Sequence, residues 1–353
     1  MPNRISNDFT STIAGSVFTK AGEDIIKPPV GHEFVGFTTL ADTVLYSKPD
    51  FTYPSGQTFY ERKDFMQVET GNIIAYYGRV VPKSKVKKIL NEFTGAAAAY
   101  SLRELSNEVD NVVRVRRSTD SFERDFTANE VTDGTLTDFV GTGNDGFVTS
   151  WYDQSGNRNT ATQTSASAQP KIVDAGSLVT INSKPAIQSS GAETLVFTNT
   201  TTDGFSAKSV FAVSSFEQTD SADRFLYSDN FNFSNESQIK TGGTSDNRVT
   251  FANQTSGTNY NSDYVVMAQD DLSLLTSIFD GSSSDIYLDG VLGTGTAYKG
   301  TDNIVPFATA WLFSKNGTSS FWIGKHCEII IYTTDQSSNQ SGIEANITNN
   351  YSI

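Results

Sequence analysis

The chain predicts an all-β protein: a small N-terminal β domain, then a large antiparallel β-sandwich with short peripheral helices. Three observations lead there. Aromatic residues make up 12% of the 353 residues, a composition suited to pleated, half-buried strands. Ser, Thr, Asn and Gly crowd the gaps between short apolar runs, and stretches with helical periodicity are brief. The length is comfortable for two domains, one of them large enough to bury a substantial core.

Residues 1–81 carry apolar runs at Val35, Phe37 and Leu40, at Phe51, Tyr53 and Phe59, and at Ile73, Ile74, Tyr76 and Tyr77. Turn signals at Pro28-Pro29, Pro49-Asp50 and Pro54-Ser55-Gly56 separate them, as in a small β domain. Residues 82–95 read as a basic linker, with Lys83, Lys85, Lys87 and Lys88 passing into a short helix at Val86, Ile89, Leu90 and Phe93. Residues 96–353 form the sandwich domain. Its opening segment, Ala96 to Leu105, is expected to be helical, with four alanines, and Leu102 and Leu105 on one face.

Val112, Val113 and Val115 alternate into Arg114, Arg116 and Arg117, giving a strand with basic edges, and Phe147, Val148, Trp151 and Tyr152 give another. Further strands are expected at 171–173, 186–188, 209–216, 224–227, 248–252, 264–269, 273–280, 284–288, 310–314 and 326–332. So many strands in some 180 residues imply two packed antiparallel sheets. Asp289-Gly290 between apolar flanks is a strong hairpin signal. Near the end, Thr334 or Asp335 can cap a helix whose Ile343, Ile347 and Tyr351 form an i,i+4 stripe. No period of 20 to 50 residues recurs, which excludes a repeat array.

Charge narrows the function. Forty acidic against 26 basic residues give a net charge of −14, which repels a phosphate backbone and disfavours nucleic acid as partner. Residues 1–92 hold 11 basic and 10 acidic residues, leaving 15 against 30 in the remainder. A neutral front fits docking and an acidic back fits a solvated, self-repelling surface. Cys327 is the sole cysteine, so no intrachain disulfide or cysteine-based metal cluster forms. His32 and His326 have no partner at metal-ligand spacing, and each is expected as a surface or satisfied core residue. No apolar leader and no run of membrane-span length occurs, so a soluble chain without membrane insertion is expected. No cofactor is called for; acidic loops leave a structural calcium ion open, although no EF-hand ligand series is present.

The most specific words are Trp151, Tyr152, Asp153, Gln154, Ser155, Gly156, Asn157, Arg158 and Asn159. Two readings stand side by side. In one this is an exposed, sugar-facing turn: Trp151 and Tyr152 offer flat faces, while Asp153, Gln154 and Asn157 offer hydrogen bonds matched to hydroxyls. In the other, Asp153 and Asn157 tie the turn to backbone amides while Trp151 and Tyr152 finish a core strand. Trp311, Trp322 and Tyr298 are weaker candidates for sugar contact.

With the strands placed, the chain from about Ala97 to Ile353 resembles the concanavalin-like, laminin-G-type jelly-roll domains of bacteriophage structural proteins. It is also similar to the catalytic domain of the arabinofuranosidase B family. The residues that carry the likeness are Tyr100-Ser101-Leu102-Arg103, Val113 to Ser118, Trp151 to Asn159, Gln169 to Val173 and the run from Glu328 to Asn350. Residues 1–81, through Glu33 to Phe37 and Ile73 to Gly78, resemble small phage capsid-associated proteins more faintly. That likeness implies a virion structural protein, a capsid decoration or head fibre. Residues 1–81 would dock on the major capsid or another virion protein, and a jelly roll, trimeric as fibres usually are, would face a cell-surface polysaccharide. A tail-fibre adhesin is the alternative, and an arabinofuranosidase-type glycoside hydrolase a further one. A retaining glycosidase needs two carboxyl groups at the scissile bond. Phe231 falls where the family's nucleophilic Glu would stand, no Asp or Glu occurs between Asp302 and Glu328 where its acid is expected, and Arg224 and Phe225 occupy the region of its adjacent cysteine pair. Asp229, Glu217 and Glu236 are the alternative carboxylates. The expectation is a protein that is not an enzyme.

Overall fold

The structure is a computed structural model. It describes residues 88–107, 109–198, 209–217, 222–229, 236–241, 248–255, 258–278, 285–294 and 309–353, together with six strands lying between residues 10 and 82. The chain divides into two compact units, 1–87 and 88–353.

In the first unit, Gln57–Arg62 pairs antiparallel with both Thr10–Ile13 and Phe65–Glu69, and His32–Thr39 pairs with Leu45–Tyr46 and Tyr76–Pro82. The expected runs at Val35 and Phe37, at Phe59, and at Tyr76 and Tyr77 fall in these strands. Leu40, Phe51, Tyr53, Ile73 and Ile74 lie outside the described residues.

The second unit opens with the short helix α1 (Ile89–Glu92), which buries Ile89 and Leu90. Then come strands β1 (Ala96–Ser101), β2 (Asn111–Arg117), β3 (Glu123–Thr127) and β4 (Gly146–Trp151), with helices α2 (Ala128–Thr132) and α3 (Thr135–Val140) between β3 and β4. They are followed by β5 (Lys171–Asp174), β6 (Ile187–Ser190), β7 (Leu195–Thr198), β8 (Ser209–Ser214) and β9 (Phe225–Asp229). The remaining strands are β10 (Glu236–Thr241), β11 (Arg248–Thr255), β12 (Thr258–Val266), β13 (Ser273–Ile278), β14 (Asp285–Leu288), β15 (Val291–Leu292), β16 (Thr309–Leu312) and β17 (Ile323–Tyr332), and helix α4 (Gln340–Tyr351) ends the order.

All ladders between these strands are antiparallel. One layer runs β15-β14-β13-β8-β17-β1. The other contains β3-β2-β4 and, beyond the two-residue strand Ala161–Thr162, β7-β16-β9-β10-β11-β12. β5 and β6 bridge the layers, pairing with β4 on one side and β17 on the other.

Between the layers lies one apolar cluster, to which Tyr100, Val113, Val115, Val148, Trp151, Val210, Ala212, Ile329 and Ile331 belong. A second cluster lies on the far side of β8 and β17, where Phe211, Val213, Ile330 and Tyr332 meet Ile343, Ile347 and Tyr351 of α4. Covered on both faces, β8 is buried at every position, which is why 209–214 reads as a continuous apolar and small-residue run rather than an alternating one. The expected stripe of α4 is therefore its buried face. The helix starts at Asn339 rather than at Thr334 or Asp335: Asp335 accepts from the Ser337 amide (2.9 Å) and closes a turn ahead of it. Asp289 and Gly290 both have positive φ (51° and 79°), the turn geometry expected between β14 and β15.

The expected helix over Ala96 to Leu105 is corrected: Ala96–Ser101 is a strand paired with β17. Ala99 lies in one cluster and Ala98 and Tyr100 in the other, so burial on two faces overrides alanine's helix propensity. Strand β3, absent from the expected set, is followed by a capping box at α2. Thr127 Oγ1 accepts from the Glu130 amide while Glu130 Oε2 accepts from the Thr127 amide.

Candidate functional site

The turn after β4 is where the sugar-facing and the backbone-tying readings stand side by side, and its burial and hydrogen bonds are those of the second. Trp151, Asp153, Gln154 and Asn159 are buried, Tyr152 is half-buried, and Asn157 is exposed. A register shift between Val148 and Ser150 against β2 turns both Val148 and Trp151 inward, opposite Val115 and Val113. Asp153 Oδ1 accepts from the amides of Ala99 and Ser155, and its Oδ2 accepts from the Asn159 amide, each at 2.9 Å. Gln154 Oε1 accepts from the Leu105 amide (2.7 Å) and its Nε2 donates to the carbonyls of Ser101 and Arg103 (3.0 Å each). Asn157 and Asn159 donate their Nδ2 groups to the carbonyls of Ala96 and Ala97, and the Tyr100 hydroxyl donates to the Asn159 carbonyl. Gly156 supplies the positive φ of 88° that the turn requires. The motif is a latch from β4 to β1: the Asp153 carboxylate, the Gln154 carboxamide and the Nδ2 groups of Asn157 and Asn159 bond to backbone, while Trp151 Nε1 and Asn159 Oδ1 are buried with no hydrogen-bond partner.

A second latch joins two further segments that carry the likeness, Ser101 and Arg103 with Glu328. Glu328 of β17 is fully buried and accepts from Arg103 Nε (2.7 Å) and Nη2 (2.9 Å), from Ser101 Oγ (3.0 Å) and from the Tyr351 hydroxyl (3.0 Å). It ties β1 and α4 to β17.

His326, also in β17, is buried between Ser189 Oγ at Nε2 (2.8 Å) and Ser214 Oγ at Nδ1 (3.0 Å), and its ring stacks on Phe313. Burial pushes its pKa down to about 3. Asp229 is buried with the Tyr227 hydroxyl donating to it, Glu217 is half-buried beside Ser215, and the side chain of Glu236 lies outside the described residues. Trp322 is buried, Trp311 is half-buried, and Tyr298 lies outside the described residues. Among the described residues, no cluster of three or more His, Cys, Asp or Glu side chains suits a metal ion, and no helix is long and apolar enough to cross a membrane.

The outward side of β3-β2-β4 carries a different group. Since Val113 and Val115 face the core, Arg114 and Arg116 face outward, opposite Asp125 and Glu123 of β3. Arg114 forms a two-pronged pair with Asp125 (2.6 and 2.8 Å), and the Tyr152 hydroxyl donates to the same carboxylate (2.7 Å). The Arg114 guanidinium, and then the Tyr152 hydroxyl, hold the Asp125 carboxyl below its ordinary range; burial, and then the carboxylate, push the Tyr152 phenol up to about 12. Beside them Arg116 lies over the Phe147 ring (4.9 Å) and donates from Nε to Gln169 Oε1 (2.8 Å), while Thr149 contacts Glu123 (3.4 Å). Of the five expected sugar contacts, only Tyr152 joins this face. Its charged members were legible in the pairing of Arg114 and Arg116 with Asp125 and Glu123 across the turn at 118–121, a charge-complementary hairpin, whereas Gln169 comes from 53 residues away with no local signal.

The fold and this face define a class: an antiparallel jelly-roll β-sandwich with a polar, aromatic-flanked outer sheet. No protein-family model matches the chain, and no curated protein does. Among solved structures, the chain is similar to a GH54 α-L-arabinofuranosidase soaked with a cyclic sulfate inhibitor, with a TM-score of 0.56 and 16% identity over 73% of this chain. It is also similar to an arabinofuranosidase complexed with arabinofuranosyl-α-1,2-xylobiose, with a TM-score of 0.50 and 15% identity over 73% of this chain. The chain spans 64% of the length of each. The likeness is one of fold.

Proposed function

We propose that the larger unit is a carbohydrate-binding sandwich that binds without hydrolysing, displayed on a virion by residues 1–81 as a capsid decoration or head fibre. The observation that carries the binding reading is the Tyr152–Asp125–Arg114 group on the outward sheet face. A half-exposed ring beside oriented charged hydrogen-bonding groups is the combination that sugar rings and hydroxyls engage. Support for the non-catalytic part comes from Asp229, the carboxylate closest in sequence to Phe231, which is buried and occupied by Tyr227. Support for display comes from the phage-like sequence pattern and from the separate compactness of residues 1–87.

An arabinofuranosyl-xylobiose is the first probe, because a protein of this fold is complexed with it. Binding by calorimetry is expected, with at least a tenfold loss in Tyr152→Ala. No binding to that probe or to any member of a broad glycan array would reject the reading. Release of nitrophenol from 4-nitrophenyl α-L-arabinofuranoside above background would reverse its non-enzymatic part. Labelled antibody on intact phage particles tests display, and native mass spectrometry tests the homotrimer.

A further inference from the structure

Arg116 differs from its neighbours on the outward sheet face. Arg114 is paired with Asp125, Arg117 with Asp120 and Arg124 with Glu130. No carboxylate among the described residues pairs with Arg116. Its interactions are one hydrogen bond to a neutral carboxamide and one ring contact. Glu123, its cross-strand partner, leans to Thr149 instead.

The guanidinium is nevertheless held in place. Gln169 is buried, accepts Nε of Arg116 at 2.8 Å, and is itself oriented by donating from Nε2 to the Gln163 carbonyl (2.9 Å). Gln163 is anchored in turn through Nε2 to the Thr194 carbonyl (3.1 Å). Phe147 flanks the guanidinium plane at 4.9 Å. With Nε spent on a neutral acceptor, the two terminal nitrogens keep their donors and the group keeps its full charge. Such a fork is matched by a carboxylate, and the cost of ordering it has been met before any ligand arrives. A net charge of −14 over the whole chain argues against loose attraction of polyanions, so an anion that binds here must be recognised locally.

We infer that Arg116, oriented by Gln169 and Phe147, is the subsite for the carboxylate of an acidic saccharide, a hexuronic acid unit, bound on the outward face of β2 and β4. This rests on the glycan-binding reading above and specifies its ligand class. Trigalacturonic acid and its methyl ester separate the two, since they share the sugar and differ in the charge. By calorimetry the acid is expected to bind at least tenfold more tightly than the ester. In Arg116→Gln that preference falls to near one, while Arg116→Lys retains part of it because the charge survives without the fork. Thermal unfolding of each variant checks that the fold is kept, and if Arg116→Gln fails to fold, the Arg116→Lys ratio decides. Equal binding of acid and ester, or an acid preference that survives intact in Arg116→Gln, overturns the inference and leaves the glycan reading standing. Binding of neither, nor of neutral glycans, removes both.

Discussion

Asp153 accepts the amide of Ala99, fifty-four residues earlier in the chain, at 2.9 Å in a buried setting. The same carboxylate accepts two further amides, those of Ser155 and Asn159. Removing it strands buried donors on both β1 and the turn. Asp153→Ala is expected to cost about 3 kcal/mol or more, since each unsatisfied buried group costs roughly 1–3 kcal/mol. Urea unfolding measures it, and a loss below roughly 0.5 kcal/mol, the range of ordinary surface substitutions, would contradict the latch.

Buried Glu328 and half-buried Arg103 form a two-pronged pair that also engages Tyr351. Breaking such a pair from one side leaves an uncompensated charge. Glu328→Gln is therefore expected to destabilise by roughly 1–3 kcal/mol, the cost of leaving a partly buried charged group short of its partner. A double-mutant cycle with Arg103→Met should return a coupling energy above about 0.5 kcal/mol. Additive effects would mean the two side chains act independently.

His326 predicts acid sensitivity. Its folded pKa of about 3 lies below the ordinary value of 6.5, so the unfolded chain binds the proton more readily than the folded one. Stability from this group is complete above pH 6.5 and is lost as pH falls toward about 3, with a slope of up to about 1.4 kcal/mol per pH unit. Between pH 6.5 and 5 few carboxylates titrate, so unfolding free energies of wild type and His326→Gln should diverge in slope there. Parallel curves would show that the imidazole is not held neutral by burial.

Gly324 in β17 faces the Ser215 backbone, and a Cβ placed on it would stand 2.2 Å from that carbonyl oxygen. Backbone cannot move aside as a side-chain tip can. Gly324→Ala is expected to cost about 3 kcal/mol, at the upper end for overpacking. A thermal midpoint within a degree or two of wild type would show that the strand can shift.

Much of the sandwich was legible because strand periodicity is local. The alternation of Val113 and Val115 with Arg114 and Arg116, the Asp289-Gly290 turn, and the stripe of Ile343, Ile347 and Tyr351 each announce an element within a few residues. Ala96 to Ser101 misled because alanine favours a helix locally, while burial against β17 and both core clusters is non-local. The outward face was legible only in part. Tyr152 was singled out beside Trp151, but its partner Asp125 belongs to a strand across the hairpin, and Gln169 reaches Arg116 from 53 residues away.

The amino-acid sequence by itself determined an all-β chain with a large sandwich, a single unpaired cysteine, a strongly acidic surface, and Trp151 to Asn159 as its most distinctive turn. Tertiary structure alone decided what that turn does. Residue types state which hydrogen bonds a side chain can make, whereas burial and distance decide whether backbone or ligand receives them. Asp153, Gln154 and Asn159 are spent on β1, and Tyr152, at the edge of the same turn, stays at the outward face beside Asp125, Arg114 and the preorganised Arg116.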